Sequence, residues 1–284
     1  MAADPANQAT ENGESMKDDD RRDSPSFPTA LGTSTADSIS LLGHDLPSEL
    51  MGQVDLGELA LWLITRRRPT PQSARMFNTV MVALADHGFT PTAIAARMTI
   101  YSAPDSIQGA LASGLLGGGS RFLGVTEDCG RFLGQALEGS PLPTSDEEFR
   151  ALARRVVSDA VAQGQLIPGL GHPVHKLGDP RVPVIFRIAR EENVLGPHLR
   201  LFESIGEVHA EILGKTLPLN GAGVCGAALA DIGVPLELLR GPVLLARAAG
   251  LLGHIAEELE TPIGPDIYRL VDRNAQYLAP ESLK

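Results

Sequence analysis

The sequence predicts an all-α fold, and three observations point there. Apolar residues recur at three- and four-residue intervals, as in Met76, Phe77, Val80 and Leu84, or Leu201, Phe202, Ile205, Val208 and Ile212. Helix starts and stops punctuate these stretches: Ser145-Asp-Glu-Glu148 is a capping box, and Pro197 and Pro242 each open a helical pattern. No alternation of polar and apolar residues runs long enough to build a sheet.

Taken in order, residues 1–38 read as a disordered tail, rich in small and polar residues with almost no large apolar ones. Residues 39–284 read as the folded domain. Pro47-Ser-Glu-Leu50 looks like a helix start. The stretch from Leu56 to Ile64 is apolar nearly all round, as in a buried helix, and Arg66-Arg67-Arg68 places cations at its C-terminus. Ser73 to Asp86 forms the next helix, with Met76, Phe77, Val80, Val82 and Leu84 inward and Gly88 suited to the cap. Thr92–Tyr101 and Ile107–Leu116 follow. Gly117-Gly118-Gly119 reads as a turn and not as a phosphate loop, since it matches neither GxxxxGK[ST] nor GxGxxG. A short helix covers Gly130–Leu137. The helix opened by Ser145 carries Phe149, Leu152, Val156 and Ala160 on one face and stops near Gly164. Further helices cover Val184–Glu192, Pro197 to Leu213 with His209 as a structural residue, Val224–Ile232, and Pro242 to Glu258. The last segment starts at Pro262.

The chain has 284 residues, enough for one large domain, or a large one with a small lobe. At 43% hydrophobic and 21% charged residues it is expected to be globular and soluble. A net charge of -11 argues against a nucleic-acid partner, because phosphate backbones need a basic field. Two cysteines, Cys129 and Cys225, are too few for a disulfide framework or a zinc site, and they suit a reducing cytoplasm. No apolar run reaches the roughly 20 residues that span a bilayer. The polar N-terminus lacks the apolar region of a signal peptide. Neither a membrane nor a bound metal is therefore expected.

The chemistry concentrates in Gly169–Arg181, read as GLGHPVHKLGDPR. Its glycines and prolines shape a loop that neither a helix nor a strand would use, with Pro173 and Pro180 stiffening it. His172, His175, Lys176 and Arg181 offer a proton shuttle and anion contacts along it.

This loop resembles the signature of the citrate synthase superfamily: Gly-x-Gly-His, a basic residue, then Asp-Pro-Arg. The resemblance extends to Ala85-Asp86-His87-Gly88, to Gly114–Phe122, to Leu219-Asn220 and to Ala246–His254, and so covers about Leu46 to Tyr268. The short chain, and Phe122 where citrate synthases carry a histidine, resemble the citryl-CoA lyase branch, the module found at the end of ATP-citrate lyase. The resemblance implies a multi-helical citrate synthase-like fold, with a large helical domain and a small helical lobe. It also implies cleavage of a 3-hydroxyacyl-CoA thioester such as citryl-CoA to acetyl-CoA and oxaloacetate. Coenzyme A would enter as part of the substrate, with no tightly bound cofactor.

By the same resemblance, His172 and His87 are catalytic. His172 acts on the hydroxyl, and His87, Arg181 and Arg247 hold the oxaloacetate portion. Lys176, His175 and Asn220 fall on the coenzyme A side. A homodimer or higher homo-oligomer is implied. The departure lies at Ala222, where the family carries its catalytic Asp. Asp231 lies about two and a half turns along the helix and should point elsewhere. Cys225 is expected to pack, and His254 to be a satisfied core histidine. Two other readings stay open: a non-catalytic CoA- and dicarboxylate-binding protein, or a citrate synthase-type condensing enzyme.

Overall fold

The computed structural model describes residues 26–139, 141–172 and 175–280. Most of the N-terminal tail, Ser140, Pro173, Val174 and the last four residues lie outside them. The chain divides into two compact units, Met1–Met51 and Gly52–Lys284.

The first unit corrects the sequence reading. It contains an antiparallel meander of β1 (Gly32–Ser34), β2 (Ile39–Leu41) and β3 (His44–Asp45), with Thr33 opposite Ser40 and Leu41 opposite His44. β1 falls within the stretch expected to be disordered. The strands are two or three residues long, too short for a period-two pattern to register. Their turn is built by Leu42 and Gly43, with φ of 54° and 82°, the doubly positive pair that matches strand twist. A wide helical turn, Leu46–Leu50, follows, its start capped where Ser48 N–H donates to Asp45 Oδ1 at 3.0 Å.

The second unit is helical among its described residues. α1 (Leu56–Thr65) ends on Arg66 in the left-handed region. α2 (Pro71–Leu84) and α3 (Pro91–Ser102) each carry a first-turn proline, and Thr70 and Thr90 accept the orphan N–H groups of Ser73 and Ala93. α4 (Ile107–Leu116) and α5 (Val125–Leu137) follow. α6 (Asp146–Ala162) has the predicted capping box of Ser145 and Glu148. The remaining helices are α7 (Arg181–Glu191), α8 (Pro197–Leu213), α9 (Gly221–Asp231), α10 (Arg240–Glu260) and α11 (Gly264–Asn274).

α9 is the hub. Val224, Cys225, Ala227, Ala228 and Leu229 are fully buried, and α2, α5, α7 and α8 pack around it. Its small side chains let neighbours approach closely: a Cβ on Gly226 would fall inside contact distance of the Thr126 carbonyl on α5. Asp231, at its end, turns away from the polar loop as expected. It accepts the His198 and Leu199 N–H groups at 2.9 Å each and so caps α8. A second, smaller core joins Ala93, Ala96 and Ile100 of α3 and Ala110 of α4 to Leu251 and Ile255 of α10.

Three expectations shift. Val82, expected inward, is 79% exposed and lines an apolar groove of about 530 Å³ with Val184 and Ile185. On α6 Phe149 and Ala160 are buried as expected, but the buried positions between them are Ala153 and Val157, one residue on from Leu152 and Val156. The helical stretch Leu236–Glu260 is long and apolar enough, by length and composition, to cross a membrane, which the sequence reading did not expect. Within the unit it packs on α2, α3 and α4 and buries Arg247 and Glu258. Buried charges of this kind belong to a protein core.

Candidate functional site

Four elements meet around the polar loop, and backbone chemistry explains why. Gly169 and Gly171 have φ of 91° and 82°, which only glycine adopts without strain. A side chain on Gly169 would also strike the Phe202 ring at 2.6 Å. The turn they make brings Leu170 into a β-bridge with Leu219. Asn220 then latches loop to helix. Its N–H donates to Gly169 O at 2.8 Å, its Nδ2 donates to Gly171 O at 2.9 Å, and its Oδ1 accepts the Gly223 N–H at 2.8 Å as the N-cap of α9. Sequence reading placed Asn220 on the coenzyme A side. The structure instead commits its amide to the chain's own backbone, with the residue 7% exposed.

Asp179 is the second latch, and sequence reading missed it. Its buried carboxylate accepts the Arg181 Nε–H at 3.0 Å and Nη2–H at 2.8 Å, and also the Gly221 N–H at 2.7 Å. Burial opposes its ionisation, but the hydrogen bonds from Arg181 and Gly221 outweigh that and hold its pKa well below the usual carboxylate range. Arg181 Nη1 donates to Ala83 O at 3.2 Å, tying the loop to the end of α2. Arg181 was expected to clamp a substrate carboxylate; the Nε/Nη2 face of its fork already holds Asp179. The signal was present in Asp-Pro-Arg itself, an acid and a base two residues apart.

Three histidines converge above these latches. Ring centroids are 5.6 Å apart for His87–His172, 5.9 Å for His87–His175 and 4.5 Å for His172–His175. One nitrogen from each lies within 4.8 Å of the others, so the three rings can close on a single ligand. Burial lowers the His87 pKa, and the charges of Arg181, His175 and Arg247 lower it further. Burial also lowers that of His172, followed by His175. Both rings are therefore neutral at pH 7. His172 Nδ1 accepts the His175 N–H at 3.0 Å, which leaves the proton of the neutral ring on Nε2. No hydrogen bond to the His87 ring is present among the described residues. Neutral imidazoles are the form that binds a metal ion, yet at His87 the charges of Arg181 and Arg247 outweigh that of Asp179, and that field favours an anion.

α10 supplies the remaining cation. Arg247 is 5% exposed, and its Nε and Nη1 are buried without a hydrogen-bond partner. Burial lowers its pKa, against the pull of Asp86. Glu257 and Glu258, on the same helix, are both taken by Arg97 of α3. Arg97 Nε also donates to His254 Nδ1 at 3.1 Å, so the neutral His254 donates from Nε2 to Asp86 at 2.9 Å. His254 is thus satisfied on both nitrogens, as expected, and it ties α10 to the residue before His87. Gly250, one turn earlier, allows that approach: a Cβ there would collide with the Ala85 carbonyl.

Ala222, in the first turn of α9, is part-buried and brings no carboxylate. Cys225 is fully buried, and burial pushes its thiol up to about 12, so it packs and does not react. Lys176 is exposed on the loop, and Phe122 is 52% exposed.

A family model described as citrate synthase, C-terminal domain, matches residues 5–269. Citrate synthase of Synechocystis sp. is 26% identical over 252 residues, covering 83% of this chain and 58% of that protein. ATP-citrate synthase beta chain protein 1 of Arabidopsis thaliana is 28% identical over 219 residues, covering 70% of this chain and 33% of that one. The chain spans about half the length of the curated citrate synthases it matches. Among solved structures, citryl-CoA lyase from Hydrogenobacter thermophilus superposes with a TM-score of 0.78 at 28% identity, covering 90% of this chain and 98% of that one.

Proposed function

The chain belongs to the citrate synthase family, and from that premise we propose that it is a carbon–carbon lyase of the citryl-CoA lyase type, cleaving a 3-hydroxyacyl-CoA thioester to acetyl-CoA and a 2-oxo acid. One observation carries the reading: the His87 and His172 rings stand 5.6 Å apart, and the buried Arg247 guanidinium, whose charge acts on His87, has no hydrogen-bond partner on Nε or Nη1. Retro-Claisen cleavage needs a base for the substrate hydroxyl, a donor for the oxygen that becomes a carbonyl, and a cation for the carboxylate beside it. Neutral imidazole near pH 7 suits the first two tasks, and a guanidinium suits the third. Sequence reading assigned the base to His172. With its Nδ1 lone pair occupied and its proton on Nε2, His172 fits the donor better, and His87 fits the base. Lys176, exposed beside them, is the cation for the phosphates of coenzyme A.

The enolate of acetyl-CoA must then be protonated. Asp179 is paired with Arg181, and Asp86 with His254. With alanine at position 222, the proton comes from water. The test is release of acetyl-CoA from citryl-CoA and related 3-hydroxyacyl-CoA thioesters by the wild type and by Ala222→Asp. The wild type should turn over slowly. The variant, with a carboxylate in the first turn of a helix where negative charge is favoured, should gain on the order of 10²-fold or more. If neither protein releases acetyl-CoA from any of these thioesters, the lyase reading is wrong.

The second reading, a binding protein without turnover, is favoured by Ala222 itself. It predicts uptake of coenzyme A with no cleavage by the wild type, and activity that appears only in Ala222→Asp.

A further inference from the structure

His87 lies at the exposed edge of the histidine cluster, and no hydrogen bond to its ring is present among the described residues. Where the ring points is therefore set by the backbone turn that carries it. Gly88 makes that turn with φ of 70°, and Asp86 Oδ2 closes it by accepting the Gly88 N–H at 2.9 Å.

Two residues from other helices grip this turn. His254 of α10 donates from Nε2 to Asp86 Oδ1 at 2.9 Å, and its Nδ1 accepts the Arg97 Nε–H of α3 at 3.1 Å. The Arg97 guanidinium also lies over the Phe89 ring, 5.1 Å from its centroid, and the Phe89 and His254 rings are 5.8 Å apart. The turn is thus held on either side of His87, at Asp86 and at Phe89. Arg97 is itself anchored: it is 1% exposed, and Glu258 and Glu257 take its Nη1 and Nη2. Glu258 in turn accepts the Ile263 and Gly264 N–H groups at the start of α11, at 3.1 and 2.7 Å.

The helix that supplies His254 also supplies Arg247. Arg247, Gly250 and His254 share one face of α10, and Gly250 lets that face meet the Ala85 carbonyl. Accepting the Arg97 N–H fixes His254 as the neutral tautomer with its proton on Nε2. A neutral ring holds Asp86 in place without cancelling its charge, and that carboxylate still acts on Arg247.

We infer that His254 is a positioning residue: it aligns the turn that carries His87 with the helix that carries Arg247, so that base and cation meet the same substrate. It acts through Asp86 and does not itself react. The inference rests on the lyase reading above for the roles of His87 and Arg247.

The test pairs His254→Phe, which keeps a ring but neither hydrogen bond, with His254→Gln, which keeps an acceptor and a donor at the end of the side chain. Two quantities are followed in the full chain. One is kcat and KM with the thioester that the wild type cleaves fastest. The other is NMR titration of the His87 ring, identified by its loss in His87→Gln. The charges acting on that ring are those of Arg181, His175, Arg247 and Asp179. In His254→Phe, kcat should fall about tenfold or more with KM nearly unchanged. The His87 pKa should rise towards the ordinary 6.5, as the ring leaves the partial burial and the cations that lower it. His254→Gln should restore both. A lower urea midpoint in His254→Phe, with kcat and the His87 titration as in the wild type, would mark a merely structural residue and overturn the inference. So would a His254→Gln that behaves like His254→Phe. Should His254→Phe fail to fold, Asp86→Asn carries the comparison, because its amide offers one acceptor atom where Asp86 uses two. The same changes in smaller measure then uphold the inference, and wild-type values overturn it. If the wild type cleaves no thioester, the lyase reading fails, and the His87 titration alone judges whether His254 sets the place of the ring.

Discussion

At the histidine cluster, roles follow from which lone pairs are already in use. His172 spends Nδ1 on the His175 N–H, while the His87 ring has no hydrogen bond among the described residues. The two rings therefore predict different pH behaviour. Burial lowers both pKa values below the ordinary 6.5. A base must be neutral to work, so activity should hold through pH 7 and fall only as the pH drops below the ordinary histidine value. His172→Gln should cut kcat yet keep that acid limb, because glutamine still donates a hydrogen bond. His87→Gln should remove the limb along with most of the rate, on the order of 10²–10⁴-fold. A limb that vanishes with His172 instead would return the base role to that residue. Pattern alone could locate these rings, since the spacing around them is distinctive. It could not say which nitrogen carries the proton, because that depends on one backbone N–H three residues away.

Among the elements, the loop and α9 act as one piece. Asn220 caps the helix through Oδ1 and latches the loop through Nδ2, and the two tasks separate by mutation. Asn220→Ala loses both and should cost about 0.5–2 kcal/mol of stability from the cap alone. Asn220→Asp keeps an N-cap oxygen but loses the donor to Gly171, so its urea midpoint should stay near the wild type while kcat falls. Equal activity in Asn220→Asp and wild type would show that the Nδ2 latch does not position the histidines. Sequence reading saw a polar residue next to a catalytic position and read it as a ligand. The side chain is used up locally, as Asn at a helix start commonly is. The small meander was missed for another reason: strands of two and three residues carry no period, and the turn that joins β2 to β3 is only Leu42 and Gly43.

For the molecule as a whole, the site doubles as a fastening. Asp179 joins the loop to α9 and, through Arg181, to the end of α2. Its folded pKa is depressed below the ordinary 3.8, so its contribution is fully present above that value and is lost as the pH falls below it towards the folded pKa. Denaturant midpoints measured from neutral pH down through that window should fall for the wild type. For Asp179→Asn they should start lower at neutral pH and change less. Parallel curves would show that Asp179 does not link protonation to folding.

Most helices, their order and the Ser145–Glu148 box were legible in the chain, because helical periodicity, proline placement and a capping box are local and need no partner. The caps at Asp55, Thr70, Thr90 and Asn220 were not named, and α2 ends on Ala85 and not at Gly88. His172, His175 and Arg181 were legible too, because they cluster in a loop that no regular element would use; His87 and Arg247, far off in the chain, were reached through the family resemblance. What depended on tertiary packing was the state of each group. Arg181 and Arg247 are the same residue type, yet one is paired with Asp179 and the other makes no ion pair among the described residues. Glu257 and Glu258, on Arg247's own helix, pair across to Arg97 of α3. Side-chain identity is written in the sequence. Whether a charge arrives at the site already paired is set by which helices meet, and that depends on burial across long separations in the chain.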